Sequence, residues 1–348
     1  MGLPEVLIEF KAASSTAINR IGQGVVALIL RDETAEGTSY SYGKMSAVSG
    51  SDWSDENAAY IRLAFLGNPG RVLVERIGTD DEYTDVLLRL KNKKWNYLAI
   101  PGLASEDQKE IGDWIIDQRS NKKTFKAVLA NYDGDHEAII NFATDGIVTA
   151  EKTYTSAEYC ARIAGLIAGL GVDSACTYEV LPEVKSITES ADPDSDIDAG
   201  KLILINDGAN IKIARGINSL VTMNGKTADM KKIKIVDAMD LMRDDIASAF
   251  ENNYIGIANS YDNKLLFINA VNVYLAGLVR DNVLYDEYDN TAQIDVEAQR
   301  AWLENQDPKY ADYSDEEIKK ADTKSFVFAA CDVKFQDAIE DLHFTIYM

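Results

Sequence analysis

The stretch Gly67-Asn68-Pro69-Gly70-Arg71-Val72-Leu73-Val74-Glu75-Arg76-Ile77 decides the fold class. Glycine and proline end the helical period of Glu56 to Leu66, and a strand over Arg71 to Ile77 follows at once. Downstream the same alternation repeats. Asp81 to Leu90 is helical, and Trp95 to Ile100 is a strand stopped by Pro101-Gly102. Ser105 opens a helix through Gln118, Thr124 to Ala130 is a strand, and Ser156 caps a helix through Leu170. Upstream, Gly22-Gln23-Gly24 leads into the buried strand Val25 to Leu30. Strand–helix alternation of this kind predicts an α/β layer with parallel strands. In the last of these helices Ala161, Gly165 and Gly169 recur every four residues, which sets a small face where another backbone can approach closely.

Beyond this layer the composition shifts. Asp192 to Gly200 reads as an acidic linker. Lys201 to Ile205 and Ala209 to Ala214 read as a hairpin around Asn206-Asp207-Gly208. Helices are expected over Asp229 to Phe250, Tyr261 to Leu278 and Asp295 to Asn305, and Ser314-Asp315-Glu316-Glu317 is a capping box. Strands are expected at Ser325 to Ala329 and Asp332 to Phe335. A chain of 348 residues suggests about two domains. The expected fold is therefore mixed α/β (α+β), with two α/β domains.

With 57 acids against 35 bases the net charge is -22, which argues against nucleic acid or an anionic membrane surface as a partner. It fits a protein kept soluble by self-repulsion or packed against a basic partner. The longest near-apolar run, Ile163 to Val172, contains three glycines and is too short to span a bilayer. The start lacks a signal-peptide pattern. Cys160, Cys176 and Cys331 are odd in number and widely spaced, so neither a disulfide framework nor a zinc site is expected, and synthesis in a reducing cytoplasm is.

The motifs of catalysis are missing from the sequence. Only two histidines occur, His136 in a polar turn and His343 near the C-terminus. Gly225-Lys226-Thr227 resembles the end of a phosphate loop, but the glycine needed five positions earlier is Leu220. The acidic run from Asp192 lacks the glycine and glutamate of a calcium loop, having Ile197 and Ile203 there. No Gly-x-Ser-x-Gly elbow occurs. The expectation is that the chain is not an enzyme, with no catalytic, cofactor-binding or metal-binding residues.

Charge is uneven along the chain. Lys201 to Arg243 holds eight bases and four acids, whereas Asp281 to Glu317 holds twelve acids and two bases. The two blocks are either solvated faces or complementary surfaces on neighbouring copies. Both termini read as strands: Val6, Ile8 and Phe10 alternate near the start, and Leu342, Phe344 and Ile346 near the end. They either fold back onto their own sheet or add to the sheet edge of another copy. In the second case the contact is heterologous and propagates into rings or filaments.

Several segments together resemble contractile phage-tail sheath proteins, of the short type of Gram-positive defective-prophage and R-type bacteriocin tails. They are Met1-Gly2-Leu3-Pro4-Glu5 with Thr16-Ala17-Ile18, Ala161 to Leu166, Leu204-Ile205-Asn206-Asp207-Gly208 and Ala214 to Leu220. The densest is Met230 to Asp240, followed by Tyr254-Ile255-Gly256, Tyr261-Asp262-Asn263-Lys264 and the closing Asp337-Ala338-Ile339-Glu340-Asp341-Leu342. The resemblance implies a structural subunit that polymerises as stacked hexameric rings around an inner tube. It implies contraction by subunit rotation while terminal arms keep neighbours linked by strand exchange. The implied layout is an N-terminal strand arm over 1–20, an outer α/β domain over 21–190, an inner tube-facing α/β domain over 191–325, and a C-terminal strand arm over 326–348. A ten-residue arm reaches about 33 Å at ~3.3 Å per residue. Implied partners are further copies of the chain, an inner tail tube protein, a baseplate and a tail terminator, with no cofactor. Assembly is expected in the bacterial cytoplasm, before release in a tail or bacteriocin particle. Within this picture Lys231, Lys232, Lys234 and Arg243, with Lys319, Lys320 and Lys324, are candidate contacts to the tube or the next subunit, or else ordinary surface side chains. A soluble α/β binding module or an enzyme with self-packed termini is the alternative.

Overall fold

The computed structural model describes residues 24–49 and 51–348. The expected arm over 1–20, with Val6, Ile8 and Phe10, lies outside the described residues. The chain begins with β1 (Val25–Arg31), β2 (Ser39–Tyr42), α1 (Asp55–Phe65), β3 (Arg71–Ile77), α2 (Thr84–Lys91), β4 (Tyr97–Ala99), α3 (Gln108–Ser120) and β5 (Lys126–Ala130). There follow β6 (Ile139–Phe142), β7 (Ile147–Val148), β8 (Thr153–Tyr154), α4 (Ser156–Gly169), α5 (Pro193–Asp198), β9 (Lys201–Leu202), β10 (Leu204–Asn206) and β11 (Ile211–Ile213). It continues through α6 (Ile233–Asn253), α7 (Tyr261–Arg280), β12 (Thr291–Ile294), α8 (Val296–Gln306), α9 (Asp315–Lys320) and β13 (Ala329–Asp332).

Seven strands form one sheet in the order β2-β3-β1-β4-β5-β6-β9. The pairings from β3 through β9 are parallel, and β2 joins β3 antiparallel. The parallel α/β layer read from the sequence is present. Its strands are near-continuous in apolar residues because both faces are buried. Along β1, Val26, Leu28 and Leu30 enter one core with α1 and α4, and Ala27 and Ile29 enter the other with α2 and α3. Glu75 of β3 is fully buried, with its carboxylate held by Arg89 Nε at 2.8 Å, by Lys93 and by the Ser39 hydroxyl.

The small-residue face of α4 does what its spacing suggests. A Cβ added to Gly165 would lie 2.0 Å from the carbonyl oxygen of Ala64, and one added to Gly169 would lie 1.7 Å from that of Gly67. The end of α1 thus rests directly on the backbone of α4. Gly165→Val is expected to lower stability by about 3 kcal/mol, the upper part of the ordinary overpacking range, read from the urea midpoint. The cap of α4 is Thr155, one residue before the expected Ser156, in a full capping box with Glu158.

The described chain divides into two compact units. The first ends at Asp240 and takes in Asp337–Met348, and the second is Leu241–Gln336. The boundary thus falls inside α6, fifty residues beyond the expected step at 190/191. Asp192 to Gly200 does not act as a linker. It folds as α5, capped by the Asp192 carboxylate, and hands the chain to β9 at the sheet edge.

In the second unit α7 begins at the Ser260 cap, and the rings of Tyr254 and Phe250 each stand edge-on to Phe267, at 5.1 Å. The buried Lys264 ammonium donates to Thr323 Oγ1 at 2.7 Å. β12 and β13 form an antiparallel ribbon. The strand that forms, β13, lies across the gap between the expected strands at Ser325 to Ala329 and Asp332 to Phe335 and shares one residue with each, and it pairs part of the expected 326–348 arm within its own unit. No helix among the described residues is long and apolar enough to cross a membrane.

Candidate functional site

After the isolated bridge of Phe335 to Leu284, the chain enters the first unit at Asp337. The three acids Asp337, Glu340 and Asp341 then meet a basic seat. Lys232 Nζ donates to Asp337 and, at 3.0 Å, to Glu340 Oε2. Arg215 NH2 donates to Asp341 Oδ1 at 2.7 Å, and Thr177 Oγ1 donates to Glu340. The Glu340 side chain is only 5% exposed, although it sits on an irregular segment.

Three remote segments build this seat. Thr177 lies in a turn whose next residue, Tyr178, has φ +62, a left-handed conformation that is uncommon for a bulky side chain. The Gly216 amide donates to Thr177 Oγ1 at 2.9 Å, which leaves the hydroxyl proton for Glu340. A Cβ on residue 216 would meet Cys176 Sγ at 2.8 Å, so glycine permits the approach. Lys232 is brought alongside by the antiparallel bridge of Ile217 to Lys232. Burial opposes the charge on Lys232, yet its hydrogen bonds to Asp337 and Glu340 outweigh that and raise its pKa above the ordinary lysine value.

Past the seat the chain is bare. Every residue from Asp341 to Met348 is exposed and none is in a strand. Leu342, Phe344 and Ile346 are 83%, 75% and 73% exposed. Of the basic candidates, Lys232 is engaged in the seat. Lys234 is buried, with its pKa lowered by that burial, and is not offered to a partner as a surface charge. Arg243 and Lys320 are exposed. Lys319 pairs with Glu316 at 2.7 Å and Lys324 with Asp322 at 2.6 Å, both at the surface. Lys231 is half-buried in the turn before α6. Thr177 and Arg215 were not among the sequence candidates, and their only signal was that Arg215 lies in one of the resembling segments.

A second charged cluster holds the start of α6. Lys126 Nζ, buried on β5, lies 2.5 Å from Asp240 Oδ2 and 3.2 Å from Asp237 Oδ1. Arg119 of α3 bonds both Asp240 oxygens at 2.7 Å, and the Tyr97 hydroxyl donates to Asp237 at 2.6 Å. Burial pushes Asp237 above the ordinary carboxylate range despite Lys126. His136 is pushed down to about 4, by burial first, so it is neutral near pH 7. Among the described residues no group of His, Cys, Asp and Glu is arranged to hold a metal ion.

Two family models match the chain: the phage tail sheath protein central domain over residues 78–219, and the phage tail sheath C-terminal domain over residues 225–348. The tail sheath protein of Clostridium phage phiCD119 is 35% identical over 360 residues, spanning 100% of this chain and 99% of that protein. The chain belongs to the phage tail sheath protein family. Solved structures carry the same fold. The sheath tail protein of Desulfitobacterium hafniense has a TM-score of 0.69 at 17% identity, covering 84% of this sheath protein and 94% of that chain. The helical sheath of the anti-feeding prophage in its contracted state has a TM-score of 0.67 at 14% identity, covering 100% and 99%. The sheath protein is thus a structural subunit of a phage tail sheath. Its relatives are structural sheath proteins.

Proposed function

We propose that this sheath subunit polymerises as stacked hexameric rings around an inner tube, and that its N- and C-terminal arms join neighbouring copies by strand exchange. The observation that carries this reading is the bare segment Leu342 to Met348. Alternating apolar side chains on an unpaired backbone find stability by adding to a sheet edge. The ribbon of the second unit offers such an edge. The Asn272 side chain bonds both backbone groups of Ala292, at 2.7 and 3.1 Å, and closes the outer side of β12. All four residues of β13 are exposed, and its outer side is the edge that a neighbour's arm takes.

Contraction is then a switch between two packings of the same subunits, in which units rotate and repack while arms stay paired. Lys231, Arg243, Lys319, Lys320 and Lys324 are the basic groups left for the inner tail tube protein or the next subunit. Exposed pairs such as Lys319–Glu316 contribute little and can be traded for intermolecular ones. Baseplate and tail terminator would bound the polymer, which assembles in the bacterial cytoplasm before release. Negative-stain electron microscopy beside sedimentation velocity tests the reading. Hollow tubes with a six-fold cross-section are expected. A uniform 38.4 kDa species, persisting at high concentration and with purified tube added, overturns it.

A further inference from the structure

We infer that the segment Asp337–Asp341 is the fixed root of the C-terminal arm, locked in cis onto its own subunit by the seat of Thr177, Arg215 and Lys232, so that the exchanged part begins only at Leu342. The inference rests on the strand-exchange reading for its consequence, but not for its geometry. Asp337, Glu340 and Asp341 are spaced i, i+3, i+4, which suits neither face of a strand, and they meet three cationic or hydroxyl donors from segments more than one hundred residues away. The apolar residues change at the same point. Ile339, inside the root, is 99% exposed while the acid beside it is 5% exposed. In the root the Glu340 carboxylate is buried, the Asp337 and Asp341 carboxylates meet their cations at the rim, and the apolar side chain stands outward. Beyond it the apolar side chains have no seat at all.

A carboxylate held by charged donors in a partly dry site is a directional lock, because its hydrogen bonds are short and aimed. The seat is also built before the arm arrives. Gly216 orients the Thr177 hydroxyl, and the bridge of Ile217 to Lys232 sets the lysine. Locking the root removes most of the freedom of the arm before it pairs, so each arm leaves its subunit at one place and in one direction. A rotating subunit then pulls on a neighbour through a seven-residue strand hinged at Asp341, not through a slack tether.

The test uses full-length protein carrying Leu342→Asp, Phe344→Asp and Ile346→Asp, and reads backbone {1H}–15N NOE values at Ile339 and Thr345. The expected result is a core-like value at Ile339 and a low one at Thr345. Adding Arg215→Ala with Lys232→Ala is expected to drop Ile339 to the level of Thr345. Glu340→Gln, which keeps the shape, is expected to do so in part. Equal mobility at Ile339 and Thr345 in the parent overturns the inference, as does an Ile339 value that ignores all of these substitutions. Polymerisation is scored separately. If the Asp-substituted parent still forms tubes, the strand-exchange reading fails while the root stands on its NOE. With the wild-type arm, Arg215→Ala with Lys232→Ala is expected to raise the concentration needed for tubes about tenfold, through the loss of pre-ordering.

Discussion

Deleting Leu342–Met348 is expected to abolish tube formation and leave the fold intact. These seven residues are exposed, so their loss costs the subunit little, within about 0.5 kcal/mol for changes that touch no packed feature. Circular dichroism and the urea midpoint should therefore match the parent. The polymer loses far more. Burying Leu342, Phe344 and Ile346 against a neighbour is worth about 1.5–3 kcal/mol each before ordering costs. Discounting heavily for the entropy of fixing the arm still leaves an effect of at least 100-fold on the concentration required for polymer, because each 1.4 kcal/mol is tenfold. The segment spans about 23 Å at ~3.3 Å per residue, enough to cross a subunit surface and pair along a strand edge. A pelleting assay across concentrations reads the result. Tubes forming at the parental concentration would mean that the C-terminal strand carries no assembly energy. A loss of the folded signal would mean that it belongs to its own core.

The other large effect is expected at the start of α6. Asp240→Ala removes the carboxylate shared by Arg119 and Lys126, the latter 2% exposed at its side chain. Lys126 keeps Asp237 at 3.2 Å and the Thr124 carbonyl at 3.4 Å, and Arg119 keeps Glu137 at 3.5 Å. Breaking a buried ionic cluster by removing one partner costs about 3–5 kcal/mol, since the stranded charges stay buried. Equilibrium urea denaturation should show that loss in the transition of the first unit. A change below about 1 kcal/mol would mean that water or a shift of the helix readily resolvates Lys126. The position of the cluster matters for the mechanics. Asp237 and Asp240 lie three apart on one face of α6, and the unit boundary follows directly after Asp240. The helix that carries the chain from one unit to the next is thus pinned by charge at its root.

Local periodicity made most of the first unit legible. The strand Arg71–Ile77 and the helices around it follow from where apolar side chains recur and where glycine and proline interrupt them. The tight crossing of α1 on α4 was written in the four-residue spacing of Ala161, Gly165 and Gly169, and the start of α9 in its capping box. Order and spacing of short segments were enough to place the chain among tail sheath proteins, without any enzymatic motif. These signals need only neighbours within a few positions, so a single sequence carries them.

Partnerships across the chain left no such trace. Lys232 and Lys234 look alike in sequence, yet one clamps Asp337 and Glu340 and the other is buried. The acidic run from Asp192 has the composition of a linker and becomes α5, because β9 must reach the sheet edge. The division inside α6, the seat made by Thr177, Arg215 and Lys232, and the Asn272 closure of β12 each depend on residues far apart in the chain. The sequence by itself determined the strand–helix alternation of the parallel layer, because side-chain period is a local property. Only the tertiary structure decided which charges are spent within the subunit and which strand is left bare, because pairing and burial depend on where distant segments come to rest.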